Sequence, residues 1–375
     1  MTAKNSSTLS RGDYAEVTID SLSYSGGRGV GRIEGMVVFV PGTAPGDVIR
    51  VRITNRKSKF LEGEVVEILR PSSSRRPPPC AVANRCGGCS WQHVNYATQV
   101  EQKQGILESS IRGLRKLGDF KVLPFLAAES EFHYRNRIQL QVRGGKFGFF
   151  AKGTNDLVEV RECWISDPQL NERLRTLTAT EAAESVRIEL ALLESGEVSA
   201  VPGRRAPDAA VFAQVNRAQN EVLKARVLAA IHGRPEWIFD LYAGSGNLTE
   251  PLAEQFGTSH LTAVELSRAA VERAKVRVDW QVGDVGRVLG QMSVPPGDGV
   301  IVLDPPRTGC ETNVTDQLLR FGSKQIVYVS CNPSTFARDA ERVVKSGLYS
   351  LESVQGLDMF PQTEHVELIA SLICR

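Results

Sequence analysis

The chain has 375 residues, 42% hydrophobic and 23% charged, with 45 Lys+Arg against 43 Asp+Glu and a formal net charge of +2. This length implies two or three domains, and the composition is that of an ordinary globular protein with a sizeable core. The near-neutral charge excludes a global basic field, so any nucleic-acid surface has to be a local patch. No run of about 18 apolar residues marks a helical membrane span, and Met1–Ser10 lacks the apolar core of a secretory signal, so a cytoplasmic location is expected.

Taken in chain order, residues 12–70 alternate short β-type runs with glycine turns: Tyr14–Ile19, Gly29–Ile33, Met36–Val40, Asp47–Ile53 and Glu62–Leu69. Five such strands read as a small barrel of the OB type. Arg50, Arg52, Arg56, Lys57 and Lys59 lie together with no acid between them. Such a run is either a solvated face or a track for a phosphate backbone. Pro71–Pro79 is a Ser/Arg/Pro linker that admits neither helix nor central strand. A polar-faced helix is expected over Tyr96–Leu117, stopped at Gly118. Strands at Arg137–Val142, Phe147–Phe150 and Leu157–Val160, a helix at 168–185 and a strand at Ser185–Leu190 make a mixed α/β middle domain. The expected domains are 1–70, 71–213 and 214–375.

From Glu236 onward, apolar runs at Trp237–Leu241, Leu261–Val264, Val276–Val282, Gly299–Leu303, Gln325–Val329 and Leu368–Ile373 alternate with helical segments such as Arg268–Lys275 and Thr335–Lys345. This alternation is that of a largely parallel, Rossmann-like sheet covered on both faces. Its first strand runs through Asp240-Leu-Tyr-Ala-Gly-Ser-Gly-Asn-Leu-Thr249 into a helix. Gly244 and Gly246 permit a tight turn and a close approach of backbone to ligand. Glu265 ends the next strand nineteen positions after Gly246, where a carboxylate accepts ribose hydroxyls. Asp284 and Asp304 end the third and fourth strands. Two glycines rather than three, followed by Asn247, favour a nucleoside such as S-adenosylmethionine over a pyrophosphate cofactor.

Seven cysteines stand at 80, 86, 89, 163, 310, 331 and 374. The cluster at 80, 86 and 89 suggests metal ligation rather than disulfides in a reducing compartment. Cys310 and Cys374 read as buried small hydrophobes. Cys331 follows the apolar run Gln325–Ser330 and precedes Asn332-Pro333, so it sits between a buried strand and a helix N-terminus whose dipole favours a thiolate. A thiolate that adds to a ring carbon makes its neighbour nucleophilic, and a base must later remove a proton for the thiol to leave. Either Glu364 or Glu367, in Phe360-Pro-Gln-Thr-Glu-His-Val-Glu367, is placed to be that base.

Phe212-Ala-Gln-Val-Asn216, the Asp240–Thr249 segment, Asp304-Pro-Pro-Arg-Thr-Gly309, Val329-Ser-Cys-Asn-Pro333 and Asp358-Met-Phe-Pro361 through His365-Val-Glu367 together resemble the RNA 5-methyluridine methyltransferase family over nearly the whole chain. The Ser-Cys-Asn-Pro and Met-Phe-Pro…His-Val-Glu motifs are the specific ones. The resemblance implies that Cys331 is the nucleophile and Glu367 the base. It also places Gln214, Tyr242, Asn247, Glu265, Asp284 and Asp304 at methyl-donor or active-site positions. It likens residues 12–70 to an RNA-gripping TRAM domain and makes Arg135 and Arg137 candidates for phosphate contacts. It further likens Cys80, Cys86, Cys89 and Cys163 to the [4Fe–4S] ligands of the ribosomal-RNA branch, although spacing alone admits a Cys₄ zinc site equally.

The partner so implied is a structured RNA, 23S rRNA ahead of tRNA, with the enzyme acting as a monomer. Other methyltransferase types fit less well. The cysteine spacing is not the C-x₃-C-x₂-C of radical S-adenosylmethionine enzymes. Arg307 stands where cytosine-5 enzymes place a cysteine, and amino-group methyltransferases need no thiol. A non-enzymatic RNA assembly factor on the same fold would leave the pairing of Cys331 with Glu367 unexplained.

Overall fold

Period-two alternation closes the N-terminal segment on itself. In the computed structural model, which describes residues 9–178, 187–203 and 214–375, strands β1 (Tyr14–Leu22), β2 (Gly29–Ile33), β3 (Met36–Val40), β4 (Val48–Arg56) and β5 (Phe60–Arg70) form a closed barrel in the order β1-β2-β3-β5-β4. Its inward positions, among them Ile19, Val38, Ile49, Val51 and Leu61, are almost fully buried, as a half-buried strand pattern requires. The basic run is divided by this geometry. Arg50 pairs with Glu67 and Glu16, and Arg52 with Glu64, whereas Lys57 and Lys59 are exposed in the β4–β5 turn. The expected linker is pinned to the barrel: Arg75 Nε donates to both oxygens of the fully buried Asp47, at 2.8 and 2.9 Å.

After α1 (Tyr96–Ile111) and a 3₁₀ turn (Arg112–Lys116) comes β6 (Lys121–Leu126), which periodicity alone does not mark. Strands β7 (Arg137–Arg143), β8 (Lys146–Phe150), β9 (Leu157–Glu159), β10 (Arg187–Leu192) and β11 (Val198–Pro202) form an antiparallel sheet in the order β11-β10-β7-β8-β9. Helix α2 (Pro168–Thr176), capped by Asp167, contributes Leu170 and Leu174 to the core of this sheet. The helix expected to 185 ends at Thr176, where Leu177 turns extended, and positions 179–185 lie outside the described residues.

The remaining strands are β12 (Trp237–Leu241), β13 (Leu261–Glu265), β14 (Asp279–Val282), β15 (Gly299–Leu303), β16 (Gln325–Ser330), β17 (Tyr349–Leu357) and β18 (Glu367–Cys374). With β6 they form an eight-stranded sheet in the order β14-β13-β12-β15-β16-β18-β17-β6. Strands β14 to β16 in that order are parallel, and β18 runs antiparallel to β16 and β17. The buried run through β12, β15 and β16 is what a sheet covered on both faces demands. Helices α3 (Arg217–Ala230), α4 (Thr249–Phe256), α5 (Arg268–Val271), α6 (Val285–Gln291), α7 (Thr312–Phe321) and α8 (Pro333–Lys345) connect these strands. The helix expected over Arg268–Lys275 keeps one turn only.

By contact density the chain divides into two units: Met1–Ile106, Ser130–Arg204 and Phe360–Glu364 in one, and Leu107–Glu129, Arg205–Met359 and His365–Arg375 in the other. Within the first, the segment 360–364 is tightly held. Gln362, at φ +69° and fully buried, accepts at its carbonyl from the Ser90 and Trp91 N–H groups, both at 3.0 Å. No helix among the described residues is long and apolar enough to cross a membrane.

Candidate active site

Strand order reverses between β12 and β15, because the chain steps outward from β12 to β13 and β14 before returning to β15 on the other side. Ligands in open α/β sheets bind at the carboxyl ends of the strands at such a switch point. The loop after β12 turns there through three positive-φ residues, Tyr242 (+63°), Gly244 (+60°) and Gly246 (+98°). The Gly244 N–H donates to Glu265 Oε2 at 2.9 Å, and the Ser267 N–H donates to Glu265 Oε1 at 2.8 Å, so the carboxylate at the end of β13 is held by backbone.

Asn247 exchanges amide hydrogen bonds with Asn220 of α3, at 2.8 and 3.0 Å. Asp284 is exposed and caps α6, accepting from the Arg287 N–H at 2.9 Å. Gln214 is buried at the start of the second described stretch of this unit. Phe212 and Ala213 of its motif lie outside the described residues, whereas Asn216 caps α3.

One acid at this switch point is not singled out by motif spacing. Asp240, 1% exposed, stands inside the apolar strand β12. Its Oδ2 accepts from the Thr249 hydroxyl at 2.5 Å, but its Oδ1 is buried with no hydrogen-bond partner. Burial, with Asp304 and Glu265 nearby, pushes the Asp240 pKa up to about 7. Burial does the same for Asp304, also to about 7. A buried carboxyl oxygen without a partner is a rarity that calls for a ligand.

The antiparallel register brings the two reacting groups together. The ladder ends where Ser330 of β16 pairs with Leu368 of β18, so Cys331 and Glu367 are the next residues beyond that last pair, and Glu367 is among the charges acting on the Cys331 thiol. Glu364 is engaged elsewhere: it belongs to the other unit and accepts from the Ser90 hydroxyl at 2.6 Å.

Electrostatics departs from the helix-dipole expectation. The Cys331 pKa is pushed up to about 11, first by burial and then by Glu367 and Asp304. Asn332 takes the first amides of α8 for itself, accepting from the Ser334 and Thr335 N–H groups. The same burial, with Asp304 beside it, raises Glu367 well above the ordinary carboxylate range. The opposing influence on both groups is Arg307, whose guanidinium favours both anions. Arg307 belongs to the Asp304–Gly309 motif, but nothing in its spacing assigns it this role.

In the other unit Cys80, Cys86, Cys89 and Cys163 all line one cavity of about 220 Å³. All four are free thiols. Burial raises the first three, Cys89 to about 12, and the neighbouring thiols push the same way. Arg135 lines this cavity too, with its Nε buried and lacking a partner, whereas Arg137 pairs with Glu189 at 3.6 Å. Arg135 thus shares a cavity with the four thiols. Among the described residues no group of three or more His, Cys, Asp or Glu side chains that could hold a metal ion is found.

Comparison with known proteins agrees along the chain. Residues 9–66 match the TRAM domain, and residues 298–373 match the tRNA (Uracil-5-)-methyltransferase family. An uncharacterized RNA methyltransferase of Bdellovibrio bacteriovorus is 38% identical over 376 residues, covering 96% of this chain and 95% of its own. The 23S rRNA (uracil(1939)-C(5))-methyltransferase RlmD of Acidithiobacillus ferrooxidans is 32% identical over 427 residues, covering 95% and 96%. The crystal structure of the Pyrococcus abyssi tRNA (uracil-54, C5)-methyltransferase with S-adenosyl-L-homocysteine superposes with a TM-score of 0.73 over 96% of this chain and 100% of that one, at 24% identity. That last likeness bears on the fold.

Proposed function

The chain belongs to the RNA uracil-5 methyltransferase family, and we propose that it methylates C5 of a uridine in 23S rRNA with Cys331 as nucleophile and Glu367 as base. The observation that carries the reading is the ladder whose last pair, Ser330 with Leu368, stands one residue from both Cys331 and Glu367. The Cys331 sulfur adds to uracil C6, the C5=C6 π pair moves to C5, and C5 takes the methyl group. The C5 proton passes to the Glu367 carboxylate, C5=C6 re-forms, and the C6–S bond breaks to return the thiolate.

S-adenosylmethionine supplies the electrophilic methyl and brings a positive sulfonium when bound. Asp240, Glu265 and Asp304 surround the loop that would hold it, and the unpartnered Asp240 Oδ1 fits a cationic ligand. A cation there would pull Cys331 and Glu367 towards their anionic forms, offsetting the burial that raises both. Gln214, Tyr242, Gly244, Gly246, Asn247 and Asp284 complete the proposed donor site.

The cysteine cavity suits a [4Fe–4S] cluster better than zinc. Four thiols lining one cavity supply the ligand set, and the orphaned Arg135 Nε suits an anionic occupant. The cluster would serve as a structural staple. The ribosomal assignment is supported by near full-length coverage of the RlmD relative. A monomer acting in the reducing cytoplasm completes the reading. Mapping 5-methyluridine in total RNA from a strain lacking the protein tests the assignment: loss of one 23S rRNA site is expected, and loss confined to tRNA refutes it.

A further inference from the structure

The loop after β15 is gripped by the helix that follows the nucleophile. Asn332 Nδ2 donates to the Arg307 carbonyl at 3.1 Å, and the Thr335 hydroxyl donates to the same oxygen at 3.3 Å. Arg338 Nη2 donates to the carbonyls of Thr308, at 2.9 Å, and Cys310, at 3.2 Å. Asp339, 3% exposed, receives the Cys310 N–H at 2.7 Å and the Tyr328 hydroxyl at 2.8 Å on Oδ2, while its Oδ1 receives Arg338 Nε at 2.9 Å. Gly309 allows the contact: at φ +76°, a Cβ there would lie 2.4 Å from Asp339 Oδ2 and 2.6 Å from Arg338 Nη2. Polar side chains of the helix and its N-cap therefore fix three residues of the loop, Arg307, Thr308 and Cys310, and the first of these is Arg307.

A buried carboxylate with this many charge-assisted partners is a rigid anchor, because losing any one partner leaves it unsatisfied in a low dielectric. It touches neither Cys331 nor Glu367. We propose that Asp339 is a positioning residue which, with Arg338, holds the 307–310 backbone so that Arg307 stays beside Cys331 and Glu367. The proposal rests on the roles given to those two residues above.

The charged and titratable groups facing Cys331 are Glu367 from β18, Asp304 at the end of β15, and Arg307. Those around Asp339 are Cys310, Tyr328 and Arg338, with Tyr242 against Cys310. Of these, only Arg307 favours the Cys331 thiolate. Displacing it makes the thiol harder to ionise, whereas deleting the Asp339 charge alone makes it easier. The direction of the change therefore separates position from charge.

The test is the rate of Cys331 alkylation by iodoacetamide in the full-length protein without RNA, followed by peptide mass spectrometry between about pH 7.5 and 9.5, where rate tracks thiolate fraction. Asp339→Asn keeps an acceptor for Cys310 and Tyr328 but loses the Arg338 pair. Arg338→Met removes the same pair from an exposed position that the fold tolerates. Both are expected to slow alkylation about ten-fold at each pH, a shift of about one pH unit. In an Arg307→Ala background neither should slow it further. An unshifted profile in Arg338→Met, or effects that add to Arg307→Ala, overturns the proposal. Failure of the wild-type protein to form any RNA adduct would instead overturn the roles of Cys331 and Glu367, and it leaves this readout unaffected.

Discussion

Replacing Glu367 by Gln separates the two halves of the reaction. The side chain is 2% exposed and burial raises its pKa well above the ordinary carboxylate range, so a neutral amide of nearly equal volume costs little on folding. Cys331 loses a neighbour that opposes its ionisation, so addition to C6 and methyl transfer proceed. Elimination loses its base, which general-base catalysis values at roughly 10²- to 10⁴-fold. The expected outcome is one methyl group transferred per enzyme at a rate within about three-fold of wild type, multiple turnover down about 10³-fold, and a protein–RNA adduct that survives denaturing electrophoresis. The assay is single- and multiple-turnover transfer of labelled methyl with a gel of the same reactions. Steady turnover near the wild-type rate, or a stalled enzyme without methylated adduct, would refute the assignment of the base.

Asp240→Asn is expected to stabilise the protein at pH 8 while weakening binding of the methyl donor. The folded-state pKa of Asp240 is raised from 3.8 to about 7, so its contribution to stability is fully present below the unfolded value and is lost as pH rises through the folded one. Three units at about 1.4 kcal/mol each set an upper bound on the order of 4 kcal/mol. Melting curves of both proteins should diverge at pH 8 and converge towards pH 4, and a gap that does not narrow would contradict the burial argument. Anaerobically purified protein is expected to be brown, with absorption near about 400 nm that is lost in Cys163→Ala. A colourless protein carrying one zinc would reject the cluster.

Much of the molecule is legible in order of residues. The barrel follows from period-two runs such as Met36–Val40, whose burial alternates as the pattern requires. The parallel sheet follows from five-residue apolar runs such as Gly299–Leu303, buried throughout. Strand β6 was not legible, because Lys121–Leu126 carries a proline and half-exposed side chains at a sheet edge. Strand β17 interleaves Ser, Glu and Gln among its apolar residues and lacks the continuous apolar run that marked its neighbours.

At the site, spacing could name Glu265 and Asp304 but could not choose between Glu364 and Glu367. That choice depends on a ladder register between strands 37 residues apart at their nearest ends and on a partner, Ser90, hundreds of positions away. Arg307 and Asp240 were hidden for a related reason. Their importance lies in which charges surround them, and charge neighbourhoods across strands leave no periodic trace in sequence.

The most direct measurement is the covalent intermediate itself, trapped by incubating wild-type protein and Cys331→Ala with S-adenosylmethionine and RNA containing 5-fluorouridine, where no proton at C5 is available for removal. The wild-type chain should yield a denaturation-resistant adduct linked through residue 331, and Cys331→Ala should yield none. An adduct of equal yield in the alanine variant would contradict nucleophilic catalysis by this thiol.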